Sequence, residues 1–287
     1  MTTVLSLDDV RLAGRTVLYR VDVNSPLEPS TGAFLDDSRL RSILDTLRDL
    51  SDAKVVIMGH QSRPGKDDFT GMEVHCDRLS RLLGQTIRFV ADVCGDDAIA
   101  AIEEMQPGEK IFLENVRMHS EEYGPDKVSL EEEPSSEIVT RLSAIADVYV
   151  SDAFGAAHRN SPTLTGFAEE MPCIAGRLMN REIRALGLAV DDPPRPYVAI
   201  LGGAKCDDSL RVALNLIERD VVDCIPMVGV VGNLMLWASG HDIGERNKEF
   251  IRNTMGGSFD ETWEMAERLL SDHSEKLFLP SDLVTEV

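Results

Sequence analysis

Lysine is scarce in this chain of 287 residues. Only seven of its 29 basic residues are lysine, and 50 acidic residues bring the formal net charge to -21. An acidic balance of this size argues against nucleic acid or a membrane as a partner, because both present negatively charged surfaces. A high-salt cytoplasm favours such a composition, since ions screen the self-repulsion. The alternative is an ordinary acidic cytoplasmic protein, so either interpretation predicts a cytoplasmic location.

Cysteine pairs and long apolar runs are also missing. No two of the five cysteines are spaced as C-x-x-C, and their odd number argues against a disulfide framework. The longest apolar stretch, residues 221–238, is interrupted by Asp223 and Pro226 and does not make a membrane span. The first residues show no signal-peptide pattern. We expect reduced thiols, no membrane partner and no metal held by protein side chains.

Two common nucleotide-binding motifs are absent. The chain has no G-x-G-x-x-G, which argues against an NAD-dependent enzyme, and no Walker A spacing. It does contain ILGGAKCDDSLRV (200–212), in which an apolar run leads through two glycines to Lys205 and a predicted helix start. This stretch is suited to an anionic ligand. The alternative is that Lys205 only caps a loop.

Apolar runs with the features of strands alternate with helical periods along the chain. The predicted strands are 16–21, 54–58, 86–90, 110–114, 147–150, 197–201, 222–231 and 276–280. The predicted helices are 36–50, with Asp36 or Asp37 as its cap, 72–83, 96–105, 135–146, 207–219 and 258–273. Apolar strands alternating with helices predict an α/β fold with doubly wound, Rossmann-like parallel sheets.

The length predicts two domains. Residues 175–190 show a helical period, and DDPPRP (191–196) ends it, because prolines stop helices and stiffen connections. We expect a first domain over 1–175, a connecting helix and hinge over 176–195, and a second domain over 196–287.

Polar and cationic residues follow several predicted strands of the first domain. They are Asp22 and Asn24, His60 and Arg63, Arg117, and His158 and Arg159, with Arg39 opening a helix. The carboxyl ends of parallel strands meet at one edge of a sheet, and arginine binds carboxylates and phosphates with two hydrogen bonds. The pattern predicts a site for a small, multiply anionic metabolite. The alternative is that each arginine only pairs with a surface carboxylate.

Seven ordered motifs carry a resemblance over essentially the whole chain. They are RVDVNSPL, DDSRLR, GHQSRPG, LENVR, SDAFGAAHR, AGRLMNREIRAL and LGGAK. Their order resembles the phosphoglycerate kinase family, and GGAKCDDSLRV with GHDIG (240–244) is most similar to its archaeal branch. The resemblance implies phosphoryl transfer between 1,3-bisphosphoglycerate and ADP-Mg, giving 3-phosphoglycerate and ATP. It also implies that the first domain binds the glycerate, that the second binds the nucleotide, and that a hinge closes them.

The resemblance also implies roles for individual residues. Phosphoglycerate would be held by Asp22, Asn24, Arg39, His60, Arg63, Arg117 and Arg159. The nucleotide would be held by Gly202, Gly203, Ala204, Lys205 and Gly229. Arg39 and Lys205 would contact the transferring phosphoryl group as catalytic residues. Mg²⁺ would arrive with ATP or ADP, and we expect a monomer whose partners are these small molecules.

Three features depart from the family pattern. Ser62 stands where the family usually has glycine, and Ser209 stands where many members have a second lysine. The given sequence also ends at LPSDLVTEV, before the family's GPxG segment and its glycine-rich phosphate-binding turn. The second domain is therefore expected to be incomplete, with almost no turnover. The chain would be either a piece of a longer enzyme or a short paralogue that binds phosphoglycerate in a regulatory role.

Overall fold

The computed structural model describes residues 4–191 and 193–281. The chain divides into two compact units, with the boundary between Arg184 and Ala185. The domain limits of 175 and 195 stay predictions. Within the described residues, no helix combines the length and the apolar character needed to cross a membrane.

The first unit is built on one sheet of six parallel strands. These strands are β1 (Thr16–Val21), β2 (Lys54–Met58), β3 (Arg88–Val90), β4 (Lys110–Leu113), β5 (Val148–Asp152) and β6 (Cys173–Ala175). Their order in the sheet is β3-β4-β2-β1-β5-β6. The predicted parallel α/β architecture is confirmed. Strand β6 was not predicted, because its three residues carry too short a pattern to separate from a loop.

Among the described residues, seven α-helices belong to this sheet or follow it. They are α1 (Ser38–Ser42), α2 (Leu44–Asp49), α3 (Glu73–Leu83), α4 (Asp96–Glu103), α5 (Glu137–Ser143), α6 (Pro162–Thr165) and α7 (Arg177–Asp191). The single helix predicted over 36–50 was wrong, since Ile43 separates α1 from α2. At its start the Asp36 carboxylate accepts from the Ser38 amide at 2.6 Å, whereas Asp37 pairs with arginines.

The alternation of side chains in β1 divides the interior of the first unit into two layers. Val17, Tyr19 and Val21 belong to one buried cluster, and Leu18 belongs to the other. Arg20 occupies the same face of the strand as Leu18, because successive strand residues point to opposite faces. A cation is therefore buried beneath the carboxyl edge of the sheet.

The part of the second unit that the structure describes contains four α-helices and a short parallel pair of strands. They are α8 (Cys206–Glu218), β7 (Ile225–Pro226), α9 (Gly229–Ala238), α10 (Glu245–Met255), α11 (Phe259–Asp272) and β8 (Leu277–Phe278). Val198 and Leu201 form only isolated parallel bridges, with Cys224 and Met227 respectively, so the strand predicted over 197–201 was wrong. The helices pack around one apolar core.

The strand predicted over 222–231 was also wrong beyond β7, because the apolar run continues as helix α9. This helix is apolar on most of its sides, and Val231, Leu234 and Met235 are fully buried. A buried helix of this kind lacks the amphipathic period that separates helix from strand in a sequence. Helix α10 was missed for the opposite reason, since only Ile251 and Met255 on it are buried.

Candidate functional site

The carboxyl edge of the first sheet brings the predicted glycerate residues together. Asp22 and Asn24 follow β1, His60 and Arg63 follow β2, Arg117 follows β4 and Arg159 follows β5, with Arg39 in α1. Four of the six strands thus supply polar groups to one edge. This is where open α/β sheets place their ligands.

The Asp22 carboxylate anchors the Arg39 guanidinium. The two side chains form an ion pair, in which Asp22 is nearly buried and Arg39 is half exposed. Gly155, in the loop after β5, leaves space for this carboxylate, since a Cβ there would lie 2.5 Å from Asp22 Oδ2. Asp22 therefore orients Arg39, while much of the guanidinium stays open to solvent.

His60 is buried against a second cation. It is 2% exposed, and its Nδ1 lies 3.1 Å from Nη2 of Arg20. Burial, followed by the charges of Arg20, Arg117, Arg159 and Arg39, lowers the pKa of His60 to about 2. His60 is therefore a neutral hydrogen-bonding group at pH 7 and does not add to the positive charge of the site.

Gln61 joins the loop after β1 to the loop after β2. Its side chain donates to the Ser25 carbonyl at 3.0 Å and accepts from the Ser25 amide at 3.1 Å. The same carboxamide oxygen lies 3.0 Å from Nε2 of His75, a fully buried side chain of α3. These bonds hold the two loops that carry Asn24 and His60 in a fixed relation.

Ser62, which stands where the resemblance expects glycine, has a left-handed backbone. Its φ is 53°, a value that costs a non-glycine residue some free energy. Its hydroxyl donates to Asp68 at 2.5 Å, its amide donates to Asn24 Oδ1 at 2.8 Å, and its carbonyl accepts from Arg117 at 2.5 Å. Three side chains therefore offset the conformational cost at this turn.

An open cleft of about 450 Å³ lies beside this turn. Its lining residues are Asn24, Ser62, Arg63, Lys66, Asp68, Arg117, Tyr123 and Arg159. The Arg117 guanidinium carbon lies 5.2 Å from the Tyr123 ring centroid, a cation–π contact. Burial, then Arg159 and Arg20, lower the pKa of Arg117. Three arginines and one lysine thus face a common space that favours an anion.

The structure brings together the residues predicted for the nucleotide in the second unit as well. Gly202 packs against Val228, where a Cβ would come within 2.7 Å of a methyl carbon. Gly203 has a φ of 98°, and Gly229 opens helix α9 close to the Gly203 amide. Gly202 and Gly203 let the loop turn sharply towards the start of helix α8.

Lys205 is the residue immediately before helix α8 and is exposed. Within residues 4–191 and 193–281, no carboxylate forms an ion pair with it. Ser209 does not take the place of a second lysine, because its hydroxyl donates to the Gly202 carbonyl at 3.3 Å and stabilises the loop. The described residues also contain no cluster of side chains suited to hold a metal ion.

The first unit places cationic groups at the carboxyl ends of its strands, and the second places a glycine-rich loop before helix α8. The fold and the first site are those of an α/β protein whose cleft favours a small anion. The family model described as phosphoglycerate kinase matches residues 7–287, and the chain belongs to that family. The resemblance read from the seven motifs is confirmed.

Relatives among the archaea support this assignment. The chain is 43% identical to the phosphoglycerate kinase of Thermoplasma acidophilum over 95% of its own length and 66% of the relative. It is 41% identical to that of Methanothermobacter thermautotrophicus, over 97% and 67%. The crystal structure of the Pyrococcus horikoshii enzyme matches with a TM-score of 0.86 and 37% identity, over 96% and 67%. The chain thus spans about two thirds of the length of the curated relatives it matches.

Five residues near the site were missed by sequence reasoning, namely Arg20, Gln61, Lys66, Glu122 and Tyr123. Arg20 could have been identified from the sequence, because a charged residue inside the buried strand TVLYRV needs a polar partner. The other four stand in loops, where no periodicity shows which way a side chain points.

Proposed function

We propose that the chain takes part in phosphoryl transfer between 1,3-bisphosphoglycerate and ADP-Mg, giving 3-phosphoglycerate and ATP. The observation that supports this most strongly is the cleft in which Arg63, Arg117 and Arg159 surround a common space beside Asn24. A phosphate and a carboxylate at the two ends of a three-carbon chain suit a row of guanidinium groups. Asp22, Arg39 and His60 are proposed to bind the remainder of the same molecule.

The proposed chemistry needs positioning and positive charge more than covalent help. The bond from phosphorus to the carboxyl oxygen of 1,3-bisphosphoglycerate breaks, and a bond forms from phosphorus to an oxygen of the ADP β-phosphate. Arg39 from the first unit and Lys205 from the second are proposed to stabilise the charge on the phosphoryl oxygens. Closure about the proposed hinge over 176–195 brings the substrates together and excludes water, which would hydrolyse the acyl phosphate.

Nucleotide binding is assigned to the loop of Gly202, Gly203 and Ala204, together with Lys205 and Gly229. The start of helix α8 offers backbone N–H groups to phosphate oxygens. Mg²⁺ is proposed to enter with the nucleotide as part of the substrate, and the reacting form is proposed to be a monomer.

Calorimetric titration of the chain with 3-phosphoglycerate tests the glycerate site. We expect binding that weakens as potassium chloride is added, because the contacts are ionic. Inorganic phosphate should bind more weakly, since it reaches only part of the site. A protein shown to be folded by circular dichroism that gives no binding in 20 mM salt would refute the assignment. A coupled assay for ATP formation on the same samples tests transfer, and ATP formation would support the proposed reaction.

We further propose that the protein works in a cytoplasm of high salt concentration. With a formal net charge of -21, the negatively charged side chains of the folded protein repel one another, and added ions screen that repulsion. The melting temperature should therefore rise between 0.1 M and 2 M potassium chloride. A melting temperature that stays constant or falls would contradict the high-salt adaptation and leave the proposed enzyme activity unaffected.

A further inference from the structure

Arg20 is a buried cation without a directly bonded carboxylate among the described residues. Its side chain is 1% exposed, and its Nη1 donates to the Val21 carbonyl at 2.5 Å. Its Nε donates to the Thr163 hydroxyl at 3.0 Å, and its Nη2 lies 3.1 Å from Nδ1 of His60. A guanidinium group in such a place must be balanced by negative charge a short distance away.

Glu122 supplies that charge through Thr163. The Glu122 side chain is 4% exposed and accepts from the Thr163 hydroxyl at 2.7 Å, the Ser161 hydroxyl at 2.8 Å and the Thr163 amide at 2.9 Å. Arginine can only donate, so the Thr163 oxygen accepts from Arg20, and its one proton goes to Glu122. The donor and the acceptor are therefore determined in both hydrogen bonds of the Thr163 hydroxyl, which links Glu122 to Arg20.

The same reasoning determines the proton position on His60. Its Nδ1 faces Arg20, which has no acceptor, so Nδ1 must carry the lone pair. A neutral imidazole with an unprotonated Nδ1 has its proton on Nε2. Burial and the facing guanidinium groups of Arg20, Arg117, Arg159 and Arg39 keep the ring neutral. No group among the described residues forms a hydrogen bond with Nε2, so this N–H remains available to a ligand.

We propose that Glu122, Thr163 and Arg20 are positioning residues that hold His60 in its Nε2–H form, so that the neutral ring donates one directed hydrogen bond to an oxygen of phosphoglycerate. The identity of the ligand rests on the proposed function, whereas the tautomer does not. The arrangement places a hydrogen-bond donor among the site's cations without adding another charge.

The tautomer is measured directly by nitrogen-15 NMR of the histidine rings in the ligand-free chain, with His60→Gln used to assign the signals. We expect the Nε2–H pattern for His60, unchanged between pH 5 and pH 8. Arg20→Lys keeps a group that only donates and should preserve the pattern. Arg20→Met removes the donor, and the ring should then mix tautomers and titrate with a pKa nearer 6.5.

A second pair of variants covers the case in which Arg20→Met does not fold. Thr163→Val keeps the side-chain shape and removes the oxygen that accepts from Arg20 Nε, so the guanidinium is no longer held against Nδ1 and the His60 tautomers should mix. Ser161→Ala removes another hydrogen bond to Glu122 without touching Arg20, and His60 should be unchanged. An Nδ1–H pattern or a titration between pH 5 and pH 8 in the wild-type chain would overturn the proposal, as would identical His60 spectra for both variants.

Affinity for 3-phosphoglycerate separates this inference from the proposed function. Thr163→Val should raise Kd by about threefold to tenfold, the range expected for one hydrogen bond, and Ser161→Ala should not. If both variants bind like the wild type, the positioning role is wrong even though the phosphoglycerate site exists. If the wild-type chain does not bind 3-phosphoglycerate, the proposed function fails, and the NMR result alone decides the tautomer.

Discussion

Replacing Arg63 by alanine is expected to weaken 3-phosphoglycerate binding by about tenfold to a hundredfold. The expectation follows from a hydrogen bond between charged groups, which contributes roughly 1.5–3 kcal/mol, at about 1.4 kcal/mol per factor of ten. Arg63 is exposed at the cleft, and no described carboxylate pairs with it. Its removal should therefore leave the fold and its melting temperature unchanged.

Arg48→Ala is the matched control for this prediction. Arg48 is an exposed arginine of α2 that pairs with Asp45 at 2.9 Å, so its removal changes the net charge by the same amount. Calorimetry on both variants separates the local contact of Arg63 from the general effect of charge. If Arg63→Ala binds no more weakly than Arg48→Ala, the cleft is not the phosphoglycerate site. Arg39→Ala should also abolish most of the binding, although it leaves Asp22 without its ion-pair partner.

The first sheet could be predicted from the sequence because its strands are buried on both sides. Runs such as TVLYRV and KVVIM have no polar alternation, and helical periods of normal length separate them. The order of the strands did not follow from the pattern, since β1 lies between β2 and β5 through contacts distant in sequence. Local periodicity predicts which segments are strands and does not predict which strands are neighbours.

Apolar segments in the second unit were harder to interpret for a different physical reason. The sequence from Gly229 to Ala238 becomes a helix that is buried on most sides, and burial removes the contrast between its faces. A short apolar run then has the same composition as a buried strand. The turn at Gly229, which has a φ of 59°, ends the extended segment, but glycine alone does not specify a turn.

The position of a candidate site residue was predictable where a family motif supplied that residue, and residues placed there by tertiary contacts were missed. Asp22, Asn24, His60, Arg63, Arg117 and Arg159 all lie at one sheet edge, as strand ends require. The neutrality of His60 could not be predicted, because it depends first on burial and then on Arg20 from another strand. The replacement of glycine by Ser62 is tolerated through Asp68, whose contribution depends on the folded turn.

Replacing Lys205 by alanine is expected to lower kcat by roughly a hundredfold to a thousandfold. This is the usual loss when one preorganised group that stabilises transition-state charge is removed. Lys205 stands exposed at the start of α8 beside Gly202 and Gly203, and no described carboxylate pairs with it, so its ammonium group is available for the role proposed for it. The proposed contact would be stronger in the transition state than in the ground state, so we expect nucleotide affinity to change only modestly.

Ser209→Ala is the control for Lys205→Ala, because it alters the same loop without removing a charge. Its hydroxyl only donates to the Gly202 carbonyl, so we expect a change in kcat of no more than a few-fold. Steady-state kinetics measures kcat for both variants and their parent, on protein that turns over at a measurable rate. Calorimetry measures the affinity of the same proteins for ADP-Mg. A Lys205→Ala variant that keeps kcat within about twofold of its parent would show that another cation serves the phosphoryl group. A variant that loses nucleotide affinity in proportion to kcat would instead make Lys205 a ground-state binding residue.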